Sequence, residues 1–288
     1  MSYFFHAVQK AVGLEAEQTA EPITADRKPE SLDTAASVAA TAPVTPKPVH
    51  VYHPEGRDLP RLVAFPQGEM LEVNIVAVEQ CRVLRSRLLE LIRVRKLKSI
   101  LITSTIPGAG KTVISCNLAF AMSQLNDFRV LLVDADLRRP SVARFFGMDF
   151  KQGFEEVLEG KANWRDLIFA ARPNLHILPA RSLDLRSTDL LDSEVSASFI
   201  AEVEENYDLV VFDGTPLFPV SDAHVLSSRV DGTVLVLRAH TTPSELAKQA
   251  MGLLGKRMVA TILNCGDSHG KKAYYKSYYG SSRNPTKQ

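Results

Sequence analysis

The stretch KSILITSTIPGAGKTVISCNLAF, residues 98–120, decides the fold. It opens with a short, mostly apolar run at 98–104, whose isoleucines and threonine are typical of a buried strand. A loop with two glycines, Gly108 and Gly110, follows, and residues 111–125 have the pattern of a helix. A strand, a glycine-rich loop and a helix in this order predict the start of a parallel sheet.

The rest of the chain repeats this alternation of strand and helix. Further short apolar runs, separated by helical stretches, occur at 129–135, 174–180, 207–214, 232–239 and 258–264. Because these runs lack the polar alternation of a half-exposed sheet, each strand is expected to be buried on both faces. The sequence therefore predicts an α/β fold with a mostly parallel sheet and helices on both of its faces.

The glycine loop, TIPGAGKT at 105–112, has the residues that bind a phosphate chain. It matches the pattern G-x-x-x-x-G-K-[ST] except at the first position, where Thr105 replaces glycine. Glycines let backbone N–H groups converge on an anion, and the following helix directs its positive end at the same place. Lys111 is expected on the β- and γ-phosphates and Thr112 on Mg²⁺. A glycine-rich turn without a ligand is the alternative, and the flanking strand and helix favour the phosphate loop.

The loop indicates a P-loop NTPase with ATP and Mg²⁺ as cofactors. The residues expected to bind the nucleotide are Gly108, Ala109, Gly110, Lys111, Thr112 and Val113. Asn264 ends the last apolar run, where nucleotide-binding folds often read the base, and a turn residue is the alternative interpretation. Arg238, which follows the preceding run, is a candidate to face the phosphates, and so are Arg138 and Arg139. A surface position is the alternative for Arg238, and a contact with a neighbour is the alternative for Arg138 and Arg139.

Three aspartates follow apolar runs. Asp134 and Asp136 stand in LLVDADLRRP at 131–140, and Asp213 stands in DLVVFDGTP. In doubly wound sheets, ligands bind at the carboxyl ends of the strands, so these carboxylates are expected beside the phosphate loop. With Thr112 they form the predicted Mg²⁺ site, in which Asp213 has the place of a Walker B carboxylate. Three solvated loop aspartates are the alternative.

Composition and charge exclude several classes of protein. The chain of 288 residues is 45% hydrophobic and 23% charged, which excludes a fibrous or wholly disordered protein. Lys and Arg number 34 against 33 Asp and Glu, so the charge gives no argument for a nucleic-acid partner. Cys81, Cys116 and Cys265 form no C-x-x-C pair, and each is expected to be a buried apolar residue. The protein is expected to work in a reducing compartment. Without a secretion signal or an apolar run of about 18 residues, the chain is expected to be cytoplasmic.

Three segments differ in composition. Residues 1–70 hold eight of the sixteen prolines and predict a flexible lead, whereas 71–267 carry the strands and helices. Residues 268–288 form a basic tail, predicted to be disordered, with five Lys or Arg and no acidic residue. This tail holds four of the seven tyrosines: Tyr274, Tyr275, Tyr278 and Tyr279. Their YYxxYY spacing fits neither strand nor helix burial, and a sticky aromatic tail or an added edge strand are the alternatives.

A helix is predicted over 72–95 with one apolar face. Glu79, Arg82 and Arg85 lie on it at i, i+3 and i+6. The first two face away from the apolar stripe, and Arg85 lies at its edge. A solvated charged surface is the plain interpretation of this pattern.

Together these motifs resemble the bacterial tyrosine kinases (BY-kinases) of capsule and exopolysaccharide biosynthesis. The loop at 107–112, the sequence LLVDADLRRP, the E-x-x-R-x-x-R spacing from Glu79 to Arg85 and the tyrosine cluster occur in the family's order, over residues 75–280. P-loop ATPases of the partition and cell-division type share the fold but carry an extra lysine where Ile106 stands. That difference favours the kinase.

The resemblance implies an ATP- and Mg²⁺-dependent protein-tyrosine autokinase that regulates polysaccharide polymerisation or export. Its catalytic residues would be Lys111, Asp134, Asp136 and Asp213, with Asp134 as the candidate base for the tyrosine hydroxyl. It also implies phosphorylation of the tail tyrosines in trans and a homo-oligomeric ring with contacts through Glu79, Arg82 and Arg85. A separate membrane-anchored polysaccharide co-polymerase would activate the kinase and recruit it to the inner face of the membrane. The alternatives are a non-kinase P-loop ATPase switch and an adaptor that binds ATP without transferring phosphate.

Two loops depart from the family's usual pattern. After Asp213 the sequence reads Gly-Thr-Pro at 214–216 instead of Thr-Pro-Pro, and SLDLRSTDLL at 182–191 replaces a Pro-Asn-Pro stretch. The predicted metal carboxylates are intact, so these departures bear on the shape of the loops around the site.

Overall fold

The computed structural model describes residues 75–147, 150–183 and 186–266. The predicted lead over 1–70 and the tyrosine tail over 268–288 lie outside the described residues, so the segment boundaries stay predictions. No helix in the described part of the chain is long and apolar enough to cross a membrane.

A seven-stranded sheet forms the centre of the described region. Its strands are β1 (Ser99–Ser104), β2 (Val130–Asp134), β3 (Phe169–Arg172), β4 (Leu175–Leu178), β5 (Leu209–Pro216), β6 (Gly232–Arg238) and β7 (Met258–Asn264). They lie in the order β3-β4-β2-β5-β1-β6-β7, and every neighbouring pair is parallel except β3 with β4. The predicted α/β fold with a mostly parallel sheet is confirmed, whereas the short antiparallel edge strand β3 is an addition to the prediction.

One helix precedes β1, and helices lie between all successive strands except β3 and β4. They are α1 (Ile75–Arg95), α2 (Lys111–Met122), α3 (Val142–Phe145), α4 (Phe154–Leu158), α5 (Trp164–Leu167), α6 (Ser187–Leu191), α7 (Glu194–Asn206), α8 (Asp222–Ser227) and α9 (Ser244–Leu254), followed by a 3₁₀ turn at Gly255–Arg257. Parallel neighbours need such crossover connections, because a tight turn can join only antiparallel strands.

Two hydrophobic clusters cover the two faces of the sheet. Within β1, Leu101 belongs to one cluster while Ile100 and Ile102 belong to the other, because successive side chains point to opposite faces. Leu88 and Ile92 of α1 pack into the second cluster. All six residues of β1 are buried, which explains why the sequence there has no polar alternation.

The three cysteines differ in exposure. Cys116 is buried in α2, as predicted, and Cys81 is half-buried. The prediction for Cys265 is wrong, because this residue follows the last residue of β7 and is exposed.

The register of the central strands brings the predicted carboxylates together. Asp134, the last residue of β2, is paired with Asp213 of β5. Strand β1 lies between β5 and β6 and ends at Ser104, directly before the phosphate loop. The carboxyl ends of β1, β2 and β5 therefore open on one edge of the sheet, where doubly wound folds bind ligands.

Candidate functional site

The phosphate loop joins β1 directly to α2. Gly108 and Gly110 have φ angles of 74° and 92°, values that residues with a side chain rarely adopt. Gly110 is the N-cap residue of α2 and has no side chain, so the first N–H groups of the helix are left to an incoming anion. Thr105, in place of the usual first glycine, is buried at the start of the loop.

Lys111 begins α2 and extends to the loop that follows β2. Its Nζ atom donates to the Oδ2 atom of Asp136 at 2.8 Å. Burial acts to lower the pKa of Lys111, but the carboxylates of Asp213, Asp136 and Asp134 outweigh it and raise the pKa. The side chain is therefore a charged ammonium group held at the sheet edge.

Asp134 holds the loop that follows β2. Its Oδ2 atom accepts the backbone N–H groups of Ser141 and Val142, both at 2.9 Å, and its Oδ1 atom accepts that of Asp136 at 3.3 Å. The side chain is fully buried. Burial, and then the neighbouring carboxylate of Asp213, raise its pKa to about 8. Asp134 thus organises the turn that also carries Asp136.

Asp213 has one bonded and one open carboxylate oxygen. Its Oδ1 atom accepts a hydrogen bond from the hydroxyl of Ser115 at 2.9 Å. Its Oδ2 atom is buried and makes no hydrogen bond of ordinary geometry with the described residues. Burial raises the pKa of Asp213, and Lys111, Thr112 and Ser115 offset part of that shift. A buried oxygen without a donor is suited to a cation.

Thr112 lies between the phosphate loop and the loop after β2. Its Oγ1 atom is 3.0 Å from the Oγ atom of Ser141. Within the described ranges, no group of three or more His, Cys, Asp or Glu is arranged to hold a metal ion by itself. A Mg²⁺ ion bound with a nucleotide needs only one or two carboxylates, since phosphates and waters supply its other ligands. Thr112, Asp136 and Asp213 fit that requirement.

Arg138 and Asp222 join the loop that follows β2 to the first residue of α8. The Nε and Nη2 atoms of Arg138 donate to the carboxylate of Asp222 at 2.8 and 3.2 Å. Ser187 and Thr188 of α6 also donate to this buried carboxylate. Arg138 therefore contacts a carboxylate in its own chain, whereas Arg139 is exposed.

Sequence reasoning missed Ser115, Ser141 and Asp222. Ser115 is three residues beyond Thr112, one helical turn along α2, so helical spacing could have pointed to it. Asp222 gave no local signal, because its partners Arg138 and Ser187 lie 84 and 35 residues away in the chain.

The predicted contact helix is α1. Arg82 is exposed, and the side chain of Glu79 lies outside the described residues. Arg85 is half-buried, and its Nη1 atom donates to the carbonyl of Ala121 in α2 at 3.2 Å. The tyrosines of the tail lie outside the described residues as well.

Comparison with known proteins identifies the family. A family model described as an AAA domain matches residues 97–240, half of the chain. The chain is 31% identical over 230 residues to the tyrosine-protein kinase YwqD of Bacillus subtilis (strain 168), an alignment that covers 76% of this chain and 96% of that protein. The chain belongs to the bacterial tyrosine kinase family.

The kinase fold is also similar to solved structures. The kinase domain of Escherichia coli tyrosine kinase ETK superposes with a TM-score of 0.62 at 29% identity, over 65% of this chain and 75% of that one. The resemblance inferred from the motifs and the P-loop NTPase fold are thereby confirmed. Another relative is the succinoglycan biosynthesis transport protein ExoP of Rhizobium meliloti (strain 1021), 33% identical over 175 residues. That alignment covers 58% of this chain and 22% of ExoP.

Proposed function

We propose that this protein is a tyrosine kinase that uses ATP and Mg²⁺ to phosphorylate its own C-terminal tail in trans. The observation that carries the proposal is the ion pair of Lys111 with Asp136 beside the paired residues Asp134 and Asp213, in a chain similar to a tyrosine-protein kinase over nearly that protein's whole length. We further propose that the kinase regulates polymerisation or export of an exopolysaccharide, as the name of the succinoglycan transport relative suggests.

The phosphate loop is proposed to hold the triphosphate of ATP. The glycines at 108 and 110 give the loop its shape, Lys111 supplies a cation, and Val113 belongs to the first turn of α2. Thr112, Asp136 and Asp213 would hold Mg²⁺, which when bound neutralises charge that develops on the phosphates. The open Oδ2 atom of Asp213 supports this assignment.

The tyrosine hydroxyl needs a base, because its pKa is about 10. Asp134, in its ionised form, is proposed for this task, since Asp136 and Asp213 are the carboxylates assigned to Mg²⁺ and the Oδ2 atom of Asp213 is open. The proton would pass to the Oδ1 atom of Asp134, whose bond to a backbone N–H is the longest of its three at 3.3 Å. Accordingly, Asp134→Asn should lower transfer to tyrosine more than it lowers Mg²⁺-ATP binding, whereas Asp213→Asn should chiefly weaken Mg²⁺-dependent binding.

The charge of the tail supports its role as substrate. Residues 268–288 carry five basic side chains and no acidic one, opposite in sign to the carboxylates at the sheet edge. Phosphorylation of all four tyrosines would add roughly −6 to −8 charges and reverse the sign of the tail. The modified tail would then leave the neighbour's site and loosen the oligomer. A variant with Phe at all four positions should stay assembled in ATP, as measured by analytical ultracentrifugation.

The partners are part of the proposal. A ring of copies would use Glu79, Arg82 and Arg85, and Arg85 retains donors beyond the one that binds Ala121. A separate membrane-anchored activator would hold the kinase domain, residues 71–267, at the inner face of the membrane.

Two mixtures test the function. Purified chain is incubated with Mg²⁺-ATP, with and without its presumed activator, and probed for phosphotyrosine. In the second mixture, a Lys111→Met chain that keeps its tail is combined with an active chain whose four tail tyrosines are Phe. Transfer in trans predicts phosphotyrosine on the tail of the Lys111→Met chain when the active chain is present. The control replaces the active chain with one that also carries Lys111→Met, and no label is expected.

The alternatives give different results. Phosphate release without phosphotyrosine would favour the ATPase switch. Nucleotide binding with neither product, in the presence of the activator, would favour the adaptor.

A further inference from the structure

Two side chains at neighbouring strand ends contact the phosphate loop. The side of the loop that faces the ends of β6 and β7 is called its outer side. Arg238, the last residue of β6, and Asn264, the last residue of β7, are paired in register. The Nη1 atom of Arg238 donates to the carbonyl of Gly108 at 2.8 Å, and the Nδ2 atom of Asn264 donates to the carbonyl of Ala109 at 2.9 Å. Two consecutive carbonyls of the loop are thus held by two adjacent strands.

These bonds fix the direction of two backbone N–H groups. A trans peptide is planar, so its C=O and N–H point in opposite directions. The carbonyl of Gly108 shares a peptide with the N–H of Ala109, and the carbonyl of Ala109 shares one with the N–H of Gly110. Because both carbonyls are held on the outer side, both N–H groups are turned to the inner side, where such a loop binds phosphate.

The loop needs this support because its glycines turn easily. Glycine adopts positive and negative φ at similar cost, so peptides beside Gly108 and Gly110 can reverse their direction. Gly110 also gives Asn264 its space, since a Cβ atom there would lie 2.3 Å from the Nδ2 atom of Asn264. The second glycine of the loop is therefore required by a contact outside the loop as well as by its φ angle of 92°.

Further hydrogen bonds fix the backbone and the amide group from which Arg238 and Asn264 reach the loop. The Oδ1 atom of Asn264 accepts the N–H of Cys265 at 2.9 Å, which directs the amide nitrogen at the loop. The N–H of Arg238 donates to the Oγ1 atom of Thr242 at 2.9 Å, and the N–H of Ala239 donates to the carbonyl of Asn264 at 2.9 Å. The two strand ends are thus tied to each other and to the loop.

We propose that Arg238 and Asn264 are positioning residues that preorganise the phosphate loop and so set its affinity for the phosphate chain. They act through the backbone of residues 108–110. They do not determine which nucleobase the site prefers. The proposal rests on the proposed function only in that the loop binds a nucleotide, and it is independent of transfer to tyrosine.

Binding of ATP, ADP and GTP to the full chain tests this role. Affinities with Mg²⁺ are measured by isothermal titration calorimetry, or by competition with ATP, for Asn264→Ala, Asn264→Asp, Arg238→Met and Arg238→Lys. Loss of one bond is expected to weaken all three nucleotides equally, by about fivefold to tenfold. Asn264→Asp should be the weaker Asn264 variant, because it places an oxygen against the carbonyl of Ala109. Arg238→Lys keeps a donor and should recover most of the affinity.

Two matched controls make similar changes outside the loop. Asn206→Asp removes an amide that donates to the carbonyl of Glu202 at 2.7 Å, and Arg181→Met removes an exposed guanidinium that donates to the carbonyl of Lys151 at 2.8 Å. Both should bind nucleotides as the wild type does. The nucleotide-free melting temperatures of the test variants should match those of these controls, which separates a loop effect from unfolding.

Several outcomes would overturn the proposal. A changed ratio of ATP to GTP affinity in the Asn264 variants would show that Asn264 reads the base. A loss confined to ATP, with ADP unaffected, in Arg238→Met would place the guanidinium on the γ-phosphate. Unchanged affinities in both Asn264→Asp and Arg238→Met would show that the bonds have no positioning role. A wild-type chain that binds ATP but forms no phosphotyrosine would contradict only the proposed function, whereas one that binds no nucleotide would contradict both.

Discussion

The Nζ atom of Lys111 lies 2.8 Å from the Oδ2 atom of Asp136, so an ion pair joins the phosphate loop to the loop that follows β2. Both side chains are nearly enclosed, with 13% and 5% of their surface exposed. The lysine is therefore held close to the position in which the pattern of the loop requires a cation. A phosphate chain that enters the site would replace Asp136 as its partner and leave that carboxylate to a metal ion.

Replacement of Lys111 by Met should strongly slow autophosphorylation. The substitution removes the cation of the loop and leaves the charge of Asp136 uncompensated, and loss of one such stabilising group typically lowers a rate by about 100-fold to 1000-fold. The initial rate of phosphotyrosine formation measures the effect. Lys248→Met is the matched control, because Lys248 is exposed on α9 and pairs with Glu245. Wild-type rates in the Lys111 variant would contradict the role of this lysine.

Replacement of Ser115 by Ala should destabilise the site before any ligand binds. The hydroxyl of Ser115 is the side-chain donor to the Oδ1 atom of Asp213, and a buried acceptor without its donor costs about 1–3 kcal/mol. The free energy of unfolding, from urea titration with EDTA, should fall by that amount. The variant should also need more Mg²⁺ for half-maximal activity, since Asp213 is less firmly oriented.

Ser123→Ala is the control for this change. It removes a hydroxyl that donates to the carbonyl of Phe120 at the end of the same helix and should cost about 0.5–1 kcal/mol. Equal losses in both serine variants would show that the contact with Asp213 has no special importance.

The sheet and the phosphate loop were predictable because their signals are local. Strands β1, β2 and β5 are buried on both faces, and so each appears in the sequence as a mostly apolar run without polar alternation. The glycines and Lys111 lie within a few residues of one another, and the parallel sheet alone brings Asp134 beside Asp213. Strand β3 escaped prediction because it has four residues at the sheet edge and only two of them are buried.

Contacts between segments that are distant in the chain could not be predicted from the sequence. Ser115 and Asp213 lie 98 residues apart, and the pairing of Arg238 with the carbonyl of Gly108 spans 130. The pattern correctly placed Asn264 at the carboxyl ends of the strands. Whether it faces the nucleobase or the phosphate loop depends on side-chain geometry. Asp134 likewise was predicted at the site, although its three bonds to backbone N–H groups had no signal in the residue pattern.

The contribution of Asp222 to stability should depend on pH. Burial acts to raise the pKa of Asp222, but hydrogen bonds from Arg138, Thr188 and Ser187 outweigh it and hold the pKa below its usual value. Its pKa in the folded protein is thus lower than the unfolded value of about 3.9, so the stabilisation is complete above that value and is lost as pH falls through the folded pKa.

Asp222→Asn should therefore lower the free energy of unfolding at pH 7 by about 1.5–3 kcal/mol, as expected for hydrogen bonds to a charged group. The difference from wild type should shrink in urea titrations toward pH 3. Asp192→Asn serves as the control: its carboxylate is 66% exposed and pairs with Arg229, so about 0–1 kcal/mol is expected. A difference that stays constant from pH 7 to pH 3 would rule out the charged form of Asp222 as its source.

Gly214→Ala should disturb the end of β5, where this chain departs from the usual family pattern. A Cβ atom at Gly214 would lie 2.5 Å from the Cδ1 atom of Leu101, which is fully buried, and overpacking of this kind costs about 1–3 kcal/mol. Gly252→Ala is the control, because a Cβ there meets nothing within 4 Å and a glycine-to-alanine change inside a helix stabilises by about 0.5–1 kcal/mol.

A second substitution tests the cause of the Gly214 effect. If the clash with Leu101 is responsible, Leu101→Val should make room, so Gly214→Ala should cost less in that background than in wild type. Coupling between residues in contact typically reaches about 0.5–3 kcal/mol. Urea titration of the four chains of this cycle measures it, and strict additivity would show that Leu101 is not the obstacle. Because Gly214 directly follows Asp213, the same cycle should also restore activity at limiting Mg²⁺, which would connect the packing of β1 to the position of the metal carboxylate.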